Sequence, residues 1–361
     1  MSRPRLTFET LDAAGFAAAR PEWDRLHRAC GRPPFLSGGM LGAWCATHGQ
    51  GRRIEVRTAR AGDRIVAALP VMAGGPPRAL VPLGEGIAGL AGSLVDPDLA
   101  DPEAALAGLL GVPAGRYLRL EPLEEADARR LGTAAARAGL AHALRPVITA
   151  RMAAVPDGWD AYLSGLSKNA RRAFRRADKA LGPLDWITSD SDPAGAVEGY
   201  IAVARTSWKT AAGSGVAGSE AGRAFLRALA RDAPEAVHVA AATREGRPVC
   251  CTLAFTGGDA LHLQAEEFDE AFAREGAGRY ARMAAIRFAA GKGLRGCDMM
   301  RDSKVNRSIC TEERPLYRLL VWRRGDPTRH LARVQGLARR LRRASAGGDT
   351  PRAAALKEAG R

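Results

Sequence analysis

The sequence predicts an α/β (α+β) fold of two similar units, each a mixed, mostly antiparallel sheet flanked by helices. Three observations lead there. Apolar residues recur in turn with a period of two and with spacings of three and four, so strands and helices alternate along the chain. The order helix, hairpin, helix, strand, helix, strand occurs once before residue 155, and a similar plan returns after residue 183. The chain has 361 residues, more than one hydrophobic core usually serves.

In the first unit, PFLSGGMLGAWCATHG (34–49) has a helical pattern stopped by Gly49. IEVRTAR (54–60) and RIVAALPVM (64–72) alternate as strands around the turn AGD and make a hairpin. A helix over 102–111, a strand over 117–123, a helix over 124–140 ending near Gly139 and an extended segment over 143–155 complete the unit.

The stretch LSKNARRAFRRADKAL (166–181) follows. Leu163, Leu166, Ala170, Phe174, Ala177 and Leu181 form one apolar stripe at helical spacing, and Ser167 can cap the start. That predicts an amphipathic helix whose apolar edge lies between the two units. The second unit then reads as a strand (184–188), helices around 196–208 and 219–232, and a meander of strands 236–244, 248–256 and 260–267 with turns EGR and GGD. A helix over 278–293 and strands over 295–300 and 315–324 close it. Beyond about residue 331 the chain reads as a basic helix followed by an end prone to fray. The division is 1–155, a basic linking helix 156–182, 183–330 and a basic tail 331–361.

The formal charge of +15 is local. Residues 166–181 carry a net +5 and residues 323–361 a net +8, so the remaining chain is near neutral. No zinc-finger, helix-turn-helix or RRM pattern occurs, which argues against sequence-specific DNA binding. The six cysteines form no CxxC metal pattern and no secreted disulfide framework. With no apolar leader and no long apolar run, a cytoplasmic protein is expected.

Several stretches resemble one branch of the GNAT acyltransferases, the CelD-type acetyltransferases and the related FemAB-like aminoacyl transferases. LSKNARRAFRR is similar to the "LSK-x-x-R-R-x-x-R-R" helix that links two tandem GNAT domains in that branch. PFLSGGMLGAW and ALPVM resemble its "PF-x-S-x-x-W" opening and "LPL" strand end. FDEAFAREGAGR and CDMMRDSKVNR resemble its "D-x-x-x-x-x-x-P-G" turn and "fD-x-x-R-G-x-x-x-Y-K" segment. The resemblance covers residues 34 to 325. Ala277 replaces the usual Pro, Asp302 the usual Gly, and Asn306-Arg307 the usual Tyr-Lys. Arg274 is one residue out of step with the family's pyrophosphate pattern.

The resemblance implies two tandem GNAT-like domains, the first a degenerate copy and the second holding the donor site. The turn with Arg274, Gly276, Gly278 and Arg279 would expose the first N–H groups of a helix to a phosphate of acyl-CoA, or of a tRNA end; an ordinary glycine turn reads equally well. Strict alternation puts His262, Gln264 and Glu266 on one face of their strand and Leu261, Leu263, Ala265 and Glu267 on the other. His262 or Glu266 can serve as general base toward an attacking amine, or can be structural. Asp298 can orient that amine, and Arg301 or Arg307 can hold a phosphate or carboxylate, unless they form a surface ion-pair cluster. Trp208 and Lys209 cap the acceptor cleft or pack the core, with packing the expectation for the tryptophan.

The implied function is transfer of an acyl group, acetyl in the first instance, from acetyl-CoA or another acyl-CoA to an amine or hydroxyl of a small molecule or saccharide, with no metal. An aminoacyl-tRNA donor is the alternative, with tRNA contacted through the basic helix and tail. A third reading is a non-catalytic adaptor that binds anions or an anionic membrane surface.

Overall fold

The computed structural model describes residues 5–74, 78–87 and 89–326. The basic tail expected at 331–361 lies outside the described residues. The first half runs β1 (Leu6–Leu11), α1 (Ala13–Cys30), α2 (Gly38–His48), β2 (Ile54–Ala61), β3 (Arg64–Ala73), β4 (Ala79–Pro82), β5 (Leu94–Val95), α3 (Pro102–Leu109), β6 (Tyr117–Leu123), α4 (Glu125–Arg137) and β7 (Leu140–Ala154). The second continues with α5 (Gly158–Gly165), α6 (Lys168–Leu181), β8 (Asp185–Thr188), α7 (Pro193–Arg205), α8 (Trp208–Ala211), α9 (Glu220–Asp232), β9 (Val237–Arg244), β10 (Arg247–Gly257), β11 (Ala260–Phe268), α10 (Ala277–Gly291), β12 (Gly296–Asp298), α11 (Lys304–Ile309) and β13 (Glu312–Arg323).

The expected hairpin, meander and helix order are all present. Sequence periodicity missed β1 and α1. Yet α1 had its signals: Asp12 caps it by accepting from the Gly15 N–H at 2.8 Å, Gly31 ends it at φ 57, and Phe16, Trp23 and Leu26 share its buried stripe.

One sheet runs through both halves in the order β1-β2-β3-β4-β6-β13-β7-β12-β11-β10-β9-β8, with β5 beside β3. The last strand, β13, does not stay with the second half. It returns to lie antiparallel between β6 and β7, pairing along most of β7 from Leu140↔Arg323 to Met152↔Glu312. A core of Phe16, Trp23, Phe35, Met40, Tyr200, Phe225, Leu253 and Phe255 spans both halves on one face of the sheet. On the opposite face, α5, α6 and α10 cover the second half, and α3 and α4 cover the first.

The basic helix forms as expected from Lys168, with Ser167 accepting from the Ala170 N–H at 3.2 Å. Leu163 belongs to the separate α5, because the chain turns at Leu166 and Ser167. The stripe Ala170, Phe174, Ala177 and Leu181 rests on α10 rather than wedging between the units; Phe174 stacks on Tyr280 at 6.3 Å between ring centroids.

Candidate active site

β11, α10 and β12 form a strand–helix–strand crossover with the two strands parallel. Pairing holds for Ala260↔Gly296, Leu261↔Cys297 and His262↔Asp298, and then β12 ends. Beyond that point β11 runs on to Phe268 with a strand partner on its β10 side only. An unpartnered strand edge presents N–H and C=O groups. Here two side chains reach the edge: Arg301 donates to the Gln264 carbonyl at 2.8 Å, and Lys209 Nζ to the Glu266 carbonyl at 2.5 Å. The gap between the parted strands is therefore a polar slot in the sheet.

A bulge changes which side chains face where. Leu253 pairs with Ala265 but Ala254 with Leu263, so Gln264 is an extra residue opposite β10. This overturns the strict alternation expected from the sequence. His262, Ala265 and Glu267 share one face, and Leu261, Leu263 and Glu266 the other; accordingly Ala265 packs with Leu253 and Phe255, and Leu261 and Leu263 with α10. Glu266 meets Arg282 of α10 at 2.5 Å and Lys209 at 3.7 Å. Burial alone would raise its pKa, but Arg282, Lys209 and Arg301 bring it below the ordinary carboxylate range. Glu267, 0% exposed, accepts from the Tyr200 hydroxyl at 3.1 Å. Burial raises its pKa against the pull of Ser207, Lys209 and Tyr200.

His262 and Asp298, cross-strand partners, come together at the point where the strands part. Asp298 Oδ2 lies 3.7 Å from His262 Nδ1, and Oδ1 accepts from the Met300 N–H at 2.7 Å. That turn holds Met300 at φ 54, a left-handed conformation costing on the order of 1–2 kcal/mol in a non-glycine residue. Asp298 is 0% exposed and ion-paired to Arg314. Burial acts to raise its pKa, but His262, Arg314 and the Met300 amide carry it below its usual value. The His262 ring packs edge-on against Phe35 at 5.4 Å.

The remaining candidates scatter. Trp208 is 41% exposed, so the expected core packing is absent, while its neighbour Lys209 turns inward to β11. Arg307 is bound to Asp302, which also meets Arg151 at 2.6 Å; for this residue the ion-pair cluster is what the structure contains. Arg301 donates to a backbone carbonyl.

The turn before α10 suits an anion. Gly276 stands at φ 90 at the helix start, no side chain caps α10 there, and Gly278 comes so close to Phe268 that a Cβ would lie 2.6 Å from its ring. The free helix start and its dipole favour phosphate oxygens, as a CoA pyrophosphate would supply. Gly276 also abuts α6, where a Cβ would lie 3.1 Å from that of Ala177, and α6 carries the exposed cations Arg175, Arg176 and Lys179. Among the described residues, no group of three or more His, Cys, Asp or Glu could hold a metal ion, and no helix is long and apolar enough to cross a membrane.

A parallel strand pair that parts beside its crossover helix is the arrangement of the GNAT acyltransferase fold. In this chain, residues 164–305 match the family described as the acetyltransferase (GNAT) domain. No curated protein matches the chain. Among solved structures, FemX superposes with a TM-score of 0.59 at 10% identity, over 86% of this chain and 98% of FemX. The C-terminal domain of a protein described as a lysylphosphatidylglycerol synthetase from Agrobacterium fabrum gives 0.56 at 11% identity, over 89% and 97%. A conserved protein of unknown function from Bacteroides thetaiotaomicron gives 0.53 at 11%, over 88% and 99%. These likenesses extend the shared fold over nearly the whole chain.

Proposed function

We propose that this protein is a GNAT-type N-acyltransferase moving an acyl group, acetyl in the first instance, from acyl-CoA to an amine acceptor, with hydroxyl acceptors secondary. The observation that carries the reading is the parting of β11 and β12 immediately after His262↔Asp298, within the matched domain. The thioester lies in the slot, with its pyrophosphate at the turn holding Gly276, Gly278, Arg274 and Arg279. Edge N–H groups of β11 near the Gln264 bulge polarise the thioester carbonyl. The amine attacks that carbonyl carbon from the face bearing His262, whose imidazole, beside the buried Asp298, takes the amine's proton; the thiolate leaves. Arg301, Gln264, Lys209 and Trp208 line the acceptor side. Glu266, held in ion pairs on the other face, acts as a structural anion.

Residues 183–330 supply the donor site in this reading, and residues 1–155, a copy without a phosphate turn, supply a wall of the acceptor cleft. The described cysteines are free, which suits a reducing cytoplasm. A second reading, aminoacyl-tRNA as donor, is favoured by one observation: Lys168, Arg172, Arg175, Arg176 and Lys179 are exposed on α6, the helix whose Ala177 abuts the turn at Gly276. The fold shared with FemX and with the domain described as lysylphosphatidylglycerol synthetase is compatible with it. The deciding experiment follows free thiol release from acetyl-CoA with a panel of amino sugars, amino acids and polyamines. Release with one amine class, lost in His262→Gln, supports the reading; hydrolysis alone, or none with any amine, counts against it.

A further inference from the structure

Arg314 plays no part in that reaction, yet it touches the group behind the base. β13 carries it back into the seam between β6 and β7. Its guanidinium meets Asp298 Oδ2, and its Nη1 lies 3.2 Å from Oε1 of Glu124, at the start of α4. Oδ2 is also the oxygen nearest His262 Nδ1, at 3.7 Å, beyond hydrogen-bond length. The other Asp298 oxygen is already taken by the Met300 N–H. One carboxylate oxygen thus stands between two groups that compete for it, and the buried His262 Nδ1 has no hydrogen-bond partner. Phe255 of β10 is paired opposite His262, and Phe35 of the turn at Pro34–Leu36 packs edge-on against the ring. The charged groups linked to His262 here are Asp298 from β12, Arg314 from β13 and, behind Arg314, Glu124.

We propose that Arg314 is a positioning residue for His262: it holds Asp298 Oδ2 away from Nδ1 of the imidazole, and Glu124 moderates that pull. A base that must accept an amine's proton has to present an unprotonated ring nitrogen to it, and the partner of the other ring nitrogen decides which one that is. The first half of the chain and the returning strand are then parts of the catalytic centre. This rests on the acyltransferase reading only in naming His262 the base.

The test needs neither donor nor acceptor. Histidine ring N–H and nitrogen signals of the full-length protein are followed by NMR at one fixed pH, with His262 assigned by its loss in His262→Gln. Arg314→Met frees Asp298 Oδ2 to turn to the ring and brings up a hydrogen-bonded Nδ1–H signal absent from wild type, Arg314→Lys brings it up more weakly, and Glu124→Gln does not bring it up. The ring signals of His27, His48, His142 and His238 stay where they are, which separates the effect from general loosening. Should Arg314→Met not fold, the lysine variant decides. A His262 ring signal unmoved in every folded arginine variant overturns the proposal. Absence of acyl transfer would count against the function and leave this result standing.

Discussion

Glu266 and Glu267, adjacent in sequence, turn to opposite faces of the sheet, one into an ion pair with Arg282 and the other under the hydroxyl of Tyr200. The bulge at Gln264 decides which is which. Neutralising them should have opposite effects. Glu266→Gln leaves Arg282 and Lys209 without their carboxylate and should cost about 1–3 kcal/mol, a fall of several degrees in melting temperature. Glu267→Gln removes a carboxylate that burial disfavours in its charged form, and should leave the melting temperature at neutral pH unchanged or higher. Equal losses from the two would refute the assignment of faces.

The pH dependence separates Asp298 from Glu267. Asp298 has its folded pKa below its unfolded one, so its contribution is present above the unfolded value and is lost as pH falls through the folded value. The penalty of Asp298→Asn in urea unfolding should therefore be full near pH 7 and shrink below about pH 4. Glu267 is shifted upward, so wild type should gain on Glu267→Gln as pH falls from neutral toward the ordinary carboxylate range. A constant difference across that range would contradict either shift.

The thiols should be sluggish. Burial pushes Cys45 up to about 11 and Cys250 and Cys310 up to about 12. At about pH 8 their thiolate fractions are roughly one in a thousand or less. Mass spectrometry after iodoacetamide should find these three unmodified in the folded protein and modified in guanidinium. Rapid labelling of Cys45 or Cys310 without denaturant would mean that the surrounding segments open.

The exposed Trp208 should contribute little to stability. Trp208→Ala is expected to change unfolding free energy by no more than about 0.5 kcal/mol, while its loss from the acceptor side raises KM for the amine. A melting temperature lowered by many degrees would show that the ring packs after all.

Much of this was legible in the sequence, for local reasons. The meander, the hairpin and Ser167 at the start of α6 follow from alternation, turn residues and a capping hydroxyl. His262 and Asp298 were also singled out, and the structure pairs them across two strands. The orientation of Glu266 was not legible, because one extra residue at Gln264 inverts a period-two reading and leaves no mark in composition. The place of β13 was equally hidden: its 12 residues alternate as a strand would anywhere, and only long-range pairing sends it between β6 and β7. Arg314 was missed for that reason, since its meaning comes wholly from the strands it joins.

The most direct test of the donor assignment is thermal melting with acetyl-CoA, longer acyl-CoAs and CoA. Arg274→Glu/Arg279→Glu is the better control, because any side chain at Gly278 would strike Phe268 whether or not a ligand binds there. The account predicts a melting temperature that rises with the logarithm of CoA concentration in wild type and not in the double variant. No rise with any CoA thioester would contradict it and turn attention to a charged tRNA on the α6 face.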